Sequence, residues 1–202
     1  MKQEEKTQIT RKKILDAALE EFGTNGYASG SVNNICKTGI NKGLVYHNYK
    51  NRDELYLKCV EESCKELVQY VLENHAEKGF VEYMSARMQF FKKRKREAHI
   101  FLEARTNPPV HLFQQIQKIF AEFDELNRNV FERELSGHSL RKGVSKEDAL
   151  NYFYEIQKMY NLNFANHLGG NMTLDEQVLL HETNIRKVLD LMLYGIAKGE
   201  DE

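Results

Sequence analysis

Apolar residues recur along the chain at intervals of three and four rather than two, the spacing of helices with one buried face. Ile14, Ala18 and Phe22 stand at i, i+4 and i+8, with Leu15 and Leu19 beside them, and predict an amphipathic first helix. Thr7 or Thr10 is placed to cap it. Asn25-Gly26 is placed to end it, because glycine enters the left-handed conformation of a helix terminus without steric cost. Ser31 opens a short helix with the apolar pair Val32 and Ile35, which Gly39 closes. Asn41 opens another, from Lys42 to about Tyr49. Asn51-Arg52-Asp53-Glu54 is a capped start in which Glu54 can reach back to the cap, and Leu55, Val60, Leu67 and Val71 carry that helix to about Asn74.

Further helices are expected over 80–94, 96–105, 109–135, 145–168 and 173–197. Pro108-Pro109 breaks the chain and suits a helix start. Ser145 with Asp148, and Thr173 with Glu176, have the spacing of capping boxes, and Gly169-Gly170 separates the last two helices. Two late stripes are well formed: Phe153, Ile156, Tyr160, Phe164 and His167, then Val178, Ile185, Leu189, Met192 and Ile196. No alternating run is long enough for a strand and no repeat occurs, so the fold class expected is all-α.

Composition narrows the picture. In 202 residues, 41% hydrophobic, a sizeable core can form, and two prolines leave room for long helices. The longest apolar run, Leu191 to Ala197, includes Gly195 and is too short to span a bilayer, and MKQEEKTQIT has no stretch like a signal peptide. A cytoplasmic protein with no membrane partner is therefore expected. Three cysteines without metal-ligand spacing read as small hydrophobes. Seven scattered histidines form no His-x-x-x-His pair, so neither metal nor cofactor is expected, and no hydrolase, phosphate-loop or dinucleotide motif suggests an enzyme. The formal net charge of −1 hides one local exception. From Lys37 to Arg52 the segment holds Lys37, Lys42, Lys50, Arg52 and His47 and no acid, which suits contact with phosphates. The run Lys92 to Arg96 falls between expected helices and reads as a solvated turn.

Two short helices joined through a glycine-containing turn have the form of a helix-turn-helix. Residues 10–57, TRKKILDAALEEFGTNGYASGSVNNICKTGINKGLVYHNYKNRDELYL, resemble the DNA-binding domain of the tetracycline repressor (TetR) family. The elements come in the family's order: a helix ending in Phe22, Gly26-Tyr27, a helix from Ser31 to Ile35, then Gly39 through Tyr49 close to G-V-S-K-G-x-x-Y-x-x-F. Asn41 stands where serine is common and Tyr49 where phenylalanine is, each keeping the position's role as cap and as aromatic anchor. The interval from Ile35 to Lys42 is one residue shorter than usual, which bears on the turn geometry.

The resemblance implies a helix-turn-helix DNA-binding domain over 1–50, of three helices. It also implies an antiparallel helical domain over 51–202 for dimerisation and effector binding, with the fourth helix as lever between them. The implied function is that of a sequence-specific regulator, a ligand-released repressor on a near-palindromic operator, with double-stranded DNA and a second copy of itself as partners. Lys42 and Gly43 begin the implied recognition helix; Tyr46 and His47 would donate to phosphates, Leu44 would face base edges, and Lys50 would clamp a phosphate. Thr10, Arg11 and Ser31 are flanking candidates. Val45 and Tyr49 read as core. The implied dimer face takes Phe153 and Tyr160 from one stripe and Ile185, Leu189 and Met192 from the other; the alternative is that these stripes face only their own subunit's core. Met88, Phe91, Phe101, Phe120, Phe123 and Tyr152 are candidates to line a pocket for a small, mainly apolar effector. Two other readings stand beside this one: a helical enzyme or carrier using the helix pair only for packing, and an interaction protein whose DNA-binding segment has lost its function.

Overall fold

A computed structural model describes residues 3–74, 78–168 and 171–194. Among them there is no strand, and the all-α class is borne out. The helices are α1 (Gln3–Ser29), α2 (Val32–Cys36), α3 (Lys42–Asn48), α4 (Arg52–Glu73), α5 (Phe80–Lys93), α6 (Lys95–Thr106), α7 (Phe113–Ile119), α8 (Ala121–Ser136), α9 (Lys146–Asn163) and α10 (Leu174–Tyr194). Gly169-Gly170, His75, Ile196 and the end of the last expected helix lie outside the described residues, as does the side chain of His167.

The chain forms two compact units, one of residues up to 66 with 92–121, the other of 67–91 with the residues from 122 on. These units do not follow a division at residue 50, because α6 packs along α1 and joins the N-terminal helices in one core.

In the first unit, α1 buries Ile14, Ala18, Leu19 and Phe22 and leaves the helix at Gly26 (φ 69°), where the sequence places its end. Its contact with α6 is close: a Cβ at Gly23 would stand 2.8 Å from the Arg96 Cα, so only glycine fits. α4 adds Leu55, Tyr56, Cys59 and Val60 to this core, with the Tyr56 ring edge-on to Phe22 at 5.2 Å. Burial pushes the Cys59 thiol up, as suits a buried apolar residue rather than a reactive one.

The helix expected over 109–135 is instead a 3-10 turn (Val110–Leu112), then α7, then α8. The chain turns at Phe120, which is buried edge-on to Phe101 at 5.1 Å with the Arg105 guanidinium 5.0 Å from its ring. That anchorage overrides a helical pattern that the sequence carries straight through.

In the second unit both expected capping boxes form. Ser145 Oγ accepts the Asp148 N–H at 3.0 Å, and Thr173 Oγ1 accepts the Glu176 N–H at 3.3 Å, while each acid takes an N–H back. The interior holds an ionic network. Arg87 of α5 donates to both Glu182 oxygens of α10, at 3.1 and 2.8 Å, and to the Tyr83 hydroxyl, which in turn donates to Asn127 of α8. His181 bridges Glu182 Oε1 and Asn161 Oδ1 at 3.1 and 2.8 Å. Burial would push the Glu182 carboxyl up, but Arg87 and His181 outweigh it and hold it below the usual carboxylate range.

The stripes assigned to a dimer face turn inward. Phe153, Ile185 and Leu189 are buried in their own subunit, Phe153 stacked on Phe131 at 3.8 Å, and Tyr160 and Met192 are half-buried. The exposed apolar residues are others: Tyr152, Met159 and Leu162 on α9, Leu179 and Leu191 on α10. The pocket candidates separate too. Phe101 and Phe120 belong to the first unit; Phe91, Phe123 and half-buried Met88 belong to the second. Tyr152 is 70% exposed on the outer side of α9 and lines no interior.

Removing one member of a buried ion pair leaves the other charge unpaired, at a cost of about 3–5 kcal/mol. Glu182→Gln should lower stability by about that much in urea titrations; a loss under about 1 kcal/mol would show the network to be dispensable. Ile185→Asp should likewise unfold the second unit rather than release folded monomers, which sedimentation and circular dichroism together would distinguish.

Candidate nucleic-acid interface

Five residues make α2 and seven make α3, too few for either helix to persist alone, so both rest on caps and packing. Ser31 Oγ accepts the Asn34 N–H at 3.1 Å, and Asn41 Oδ1 accepts the Gly43 N–H at 2.8 Å, so both expected N-caps form. Ser31 is held in turn by α1, its N–H donating to Glu21 Oε1 at 2.9 Å. Between the helices the N–H groups of Lys37, Thr38 and Gly39 donate to the carbonyls of Asn34, Ile35 and Cys36, each three residues back. This tighter winding rises about 2.0 Å per residue against about 1.5 Å in an α-helix. It gives a physical account of the short interval between Ile35 and Lys42, and Gly39 at φ 91° completes the turn.

The rotation of α3 is set by two residues four apart. Val45 is 1% exposed and Tyr49, just past its end, 7%. Lys42, Gly43, Leu44 (41% exposed), Tyr46 (44%) and His47 then share the outer face, with Lys50 exposed just beyond. Nothing on α1 or α4 covers Gly43: a Cβ there would meet only Asn41 Oδ1, at 3.1 Å. Lys42 Nζ donates to Asn33 Oδ1 at 2.9 Å, which ties the start of α3 to α2. Asn33 is a polar neighbour that no sequence pattern singled out.

The flanking candidates divide. Arg11 is exposed and shares an open cleft of about 590 Å³ with Asn48, Tyr49 and Glu54, which places the start of α1 beside the end of α3. Thr10 and Ser31 are half-buried, Ser31 already engaged as a cap. Arg52, one of the basic residues of this segment, is turned inward: its guanidinium lies 4.1 Å over the Tyr27 ring and its Nε donates to the Gly30 carbonyl at 3.0 Å. In the run Lys92 to Arg96, Arg96 pairs with Glu20 and Glu97 at 3.3 and 3.2 Å, so part of that charge holds α6 to α1.

This face lies within a segment, residues 14–59, that matches the family described as bacterial regulatory proteins, tetR family. Over this segment the chain is similar to the TetR family. Among curated TetR relatives, the icaADBC negative transcriptional regulator IcaR of Staphylococcus epidermidis is 34% identical over 64 residues, 31% of this chain and 35% of IcaR. The transcriptional regulator UidR of Escherichia coli is 31% identical over 109 residues, 51% of this chain and 56% of UidR. The chain thus spans from about a third to just over half the length of these relatives. Solved structures share the fold more widely. FadR of Bacillus subtilis, in complex with stearoyl-CoA, superposes with a TM-score of 0.64 at 18% identity, covering 93% of this chain and 100% of FadR. The TetR-family regulator PfmR of Thermus thermophilus gives 0.57 at 18% identity, covering 92% of this chain and 99% of PfmR.

The opposite burial of neighbours on α3 has a measurable consequence. Val45→Ala removes buried methyl groups and should cost about 2 kcal/mol, whereas Leu44→Ala should stay within about 0.5 kcal/mol of the parent. Urea denaturation of both variants checks it; equal losses would mean that α3 is rotated otherwise.

Proposed function

We propose that this chain is a sequence-specific DNA-binding regulator of the TetR family, a ligand-released repressor that works in the cytoplasm as a homodimer on a near-palindromic operator. The observation that carries the reading is the division of α3, with Lys42, Gly43, Leu44, Tyr46 and His47 outward and Val45 and Tyr49 inward. Lys42, Tyr46, His47 and Lys50 are donors for phosphate oxygens, with Arg11, Thr10 and Ser31 at the flank. Leu44 is the apolar contact for a thymine methyl, and Gly43 lets the backbone come close to the groove. IcaR and UidR, described as transcriptional regulators of the helix-turn-helix type, support the reading. In this functional sense residues 1–50 are the DNA reader and 51–202 serve dimerisation and the effector.

Dimerisation belongs to the outer apolar residues of α9 and α10, Tyr152, Met159, Leu162 and Leu191, and not to the inward stripes. A two-fold dimer presents two copies of α3 to successive major grooves, which makes the preferred site an inverted repeat. The effector is a small, mainly apolar molecule taken up within the second unit, whose interior offers Phe91, Phe123 and Met88. The stearoyl-CoA held by FadR supports that class of ligand for this fold. Release requires that the effector bind the two states with different affinity.

Selection of bound sequences from random duplex DNA should return an inverted repeat, and a pool without sequence preference would end this reading. Lys42→Ala should weaken binding and reduce the slope of log affinity against log salt by about 1. Met159→Asp, at a position 60% exposed in the subunit, should give folded monomers in sedimentation with weakened operator binding; a fully dimeric variant would move the interface elsewhere.

A further inference from the structure

The first helix is broken at Gly26, and the first N–H of the turn that follows, which runs to Ser29, finds its acceptor on another helix. At Gly26 (φ 69°, ψ 178°) the backbone leaves the helix, and the N–H of Tyr27 donates to both carboxylate oxygens of Glu103 on α6, at 2.9 and 3.0 Å. Glu103 Oε2 also accepts the hydroxyl of Tyr56 on α4 at 3.0 Å. Gly26 is required by its positive φ, and a Cβ there would press on Glu103 Oε1 at 2.8 Å. Arg52, the first residue of α4, covers the same turn, stacked on the Tyr27 ring and bonded to the Gly30 carbonyl next to Ser31. The Tyr27 hydroxyl donates to Asp53 Oδ1 at 2.7 Å. Tyr27 of α1 and Tyr56 of α4 thus meet on one carboxylate 76 residues downstream of Tyr27, and Arg52 links the same turn to the entry of α2.

We propose that Glu103 is the positioning residue of the DNA reader, the group through which α6 sets how α2 and α3 are presented; this rests on α3 being the reading element. A local side-chain acceptor would hold the turn after Gly26 without help from α6. A carboxylate borrowed from α6 instead makes the direction of the following helices depend on where α6 stands. A shift of α6 that carries Glu103 out of hydrogen-bond range frees the Tyr27 N–H and the Tyr56 hydroxyl together. Burial pushes the Glu103 carboxyl up, against the Tyr27 N–H, the Tyr56 hydroxyl and the Arg52 charge, which pull it down. A neutral side chain of the same shape is therefore tolerated there, and Glu103→Gln keeps an acceptor for Tyr27.

The test compares Glu103→Ala with Glu103→Gln in the full chain, by residue-resolved amide hydrogen exchange and by affinity for the selected operator and for random duplex. In the Ala variant, exchange at Tyr27 and across 31–49 should quicken about tenfold while the second unit keeps its rates. Operator affinity should fall about tenfold with random-duplex affinity unchanged, since the latter needs charge and not presentation. The Gln variant should restore both. Unchanged exchange at Tyr27 and 31–49 overturns the proposal, and so does equal loss of operator and random-duplex binding. Should the Ala variant fail to fold, Glu103→Asp withdraws the carboxylate by one methylene and faces the same expectations. If the parent chain selects no sequence, the DNA reading fails, and exchange at Tyr27 alone decides the place of Glu103.

Discussion

Seven residues cannot hold a helix in water, so α3 exists only while Val45 and Tyr49 stay buried and Asn41 caps its start. That constraint also decides what α3 presents. With two anchors four positions apart turned inward, Lys42, Gly43, Leu44, Tyr46 and His47 have no other place than the outside. The rest of the first unit maintains the anchorage. α1 supplies Phe22 and the Glu21 carboxylate that holds Ser31, α4 supplies Tyr56 and Arg52, and α6 closes the core behind them through the narrow contact at Gly23.

The second unit solves a different problem. Its helices are long and well capped, and its interior includes a charged pair that hydrophobic packing alone would not require. A pair of this kind adds little net stability but penalises any arrangement that separates Arg87 from Glu182, which fixes α10 against α5 in one register. α9 and α10 are left with two apolar faces, one filled by their own core and one, through Tyr152, Met159, Leu162 and Leu191, open to the surface.

How far the sequence can be read depends on how local the deciding interactions are. Caps are local, and Ser31, Asn41, Ser145 and Thr173 all cap the helices expected of them. The outward and inward residues of α3 are legible because a short amphipathic helix has one way to face its core. The break at Phe120 is not, because it comes from Phe101 and Arg105 on another helix. The stripes of α9 and α10 meet a related limit. Periodicity marks an apolar face but not what covers it, and the better-formed stripe is the internal one. Glu103 carries no signal at all, since its partners, Tyr27 and Tyr56, lie far from it in the chain.

The outer face of α3 is where this chain is expected to meet DNA, and the whole reading turns on that contact. Amide chemical shifts followed residue by residue, as duplex DNA is added at low salt, test it whatever sequence the protein prefers. The largest changes should fall on residues 42–47, with smaller ones at the start of α1 around Arg11, and they should fade as salt is raised. Shifts centred elsewhere, with α3 unmoved at saturating DNA, would contradict it.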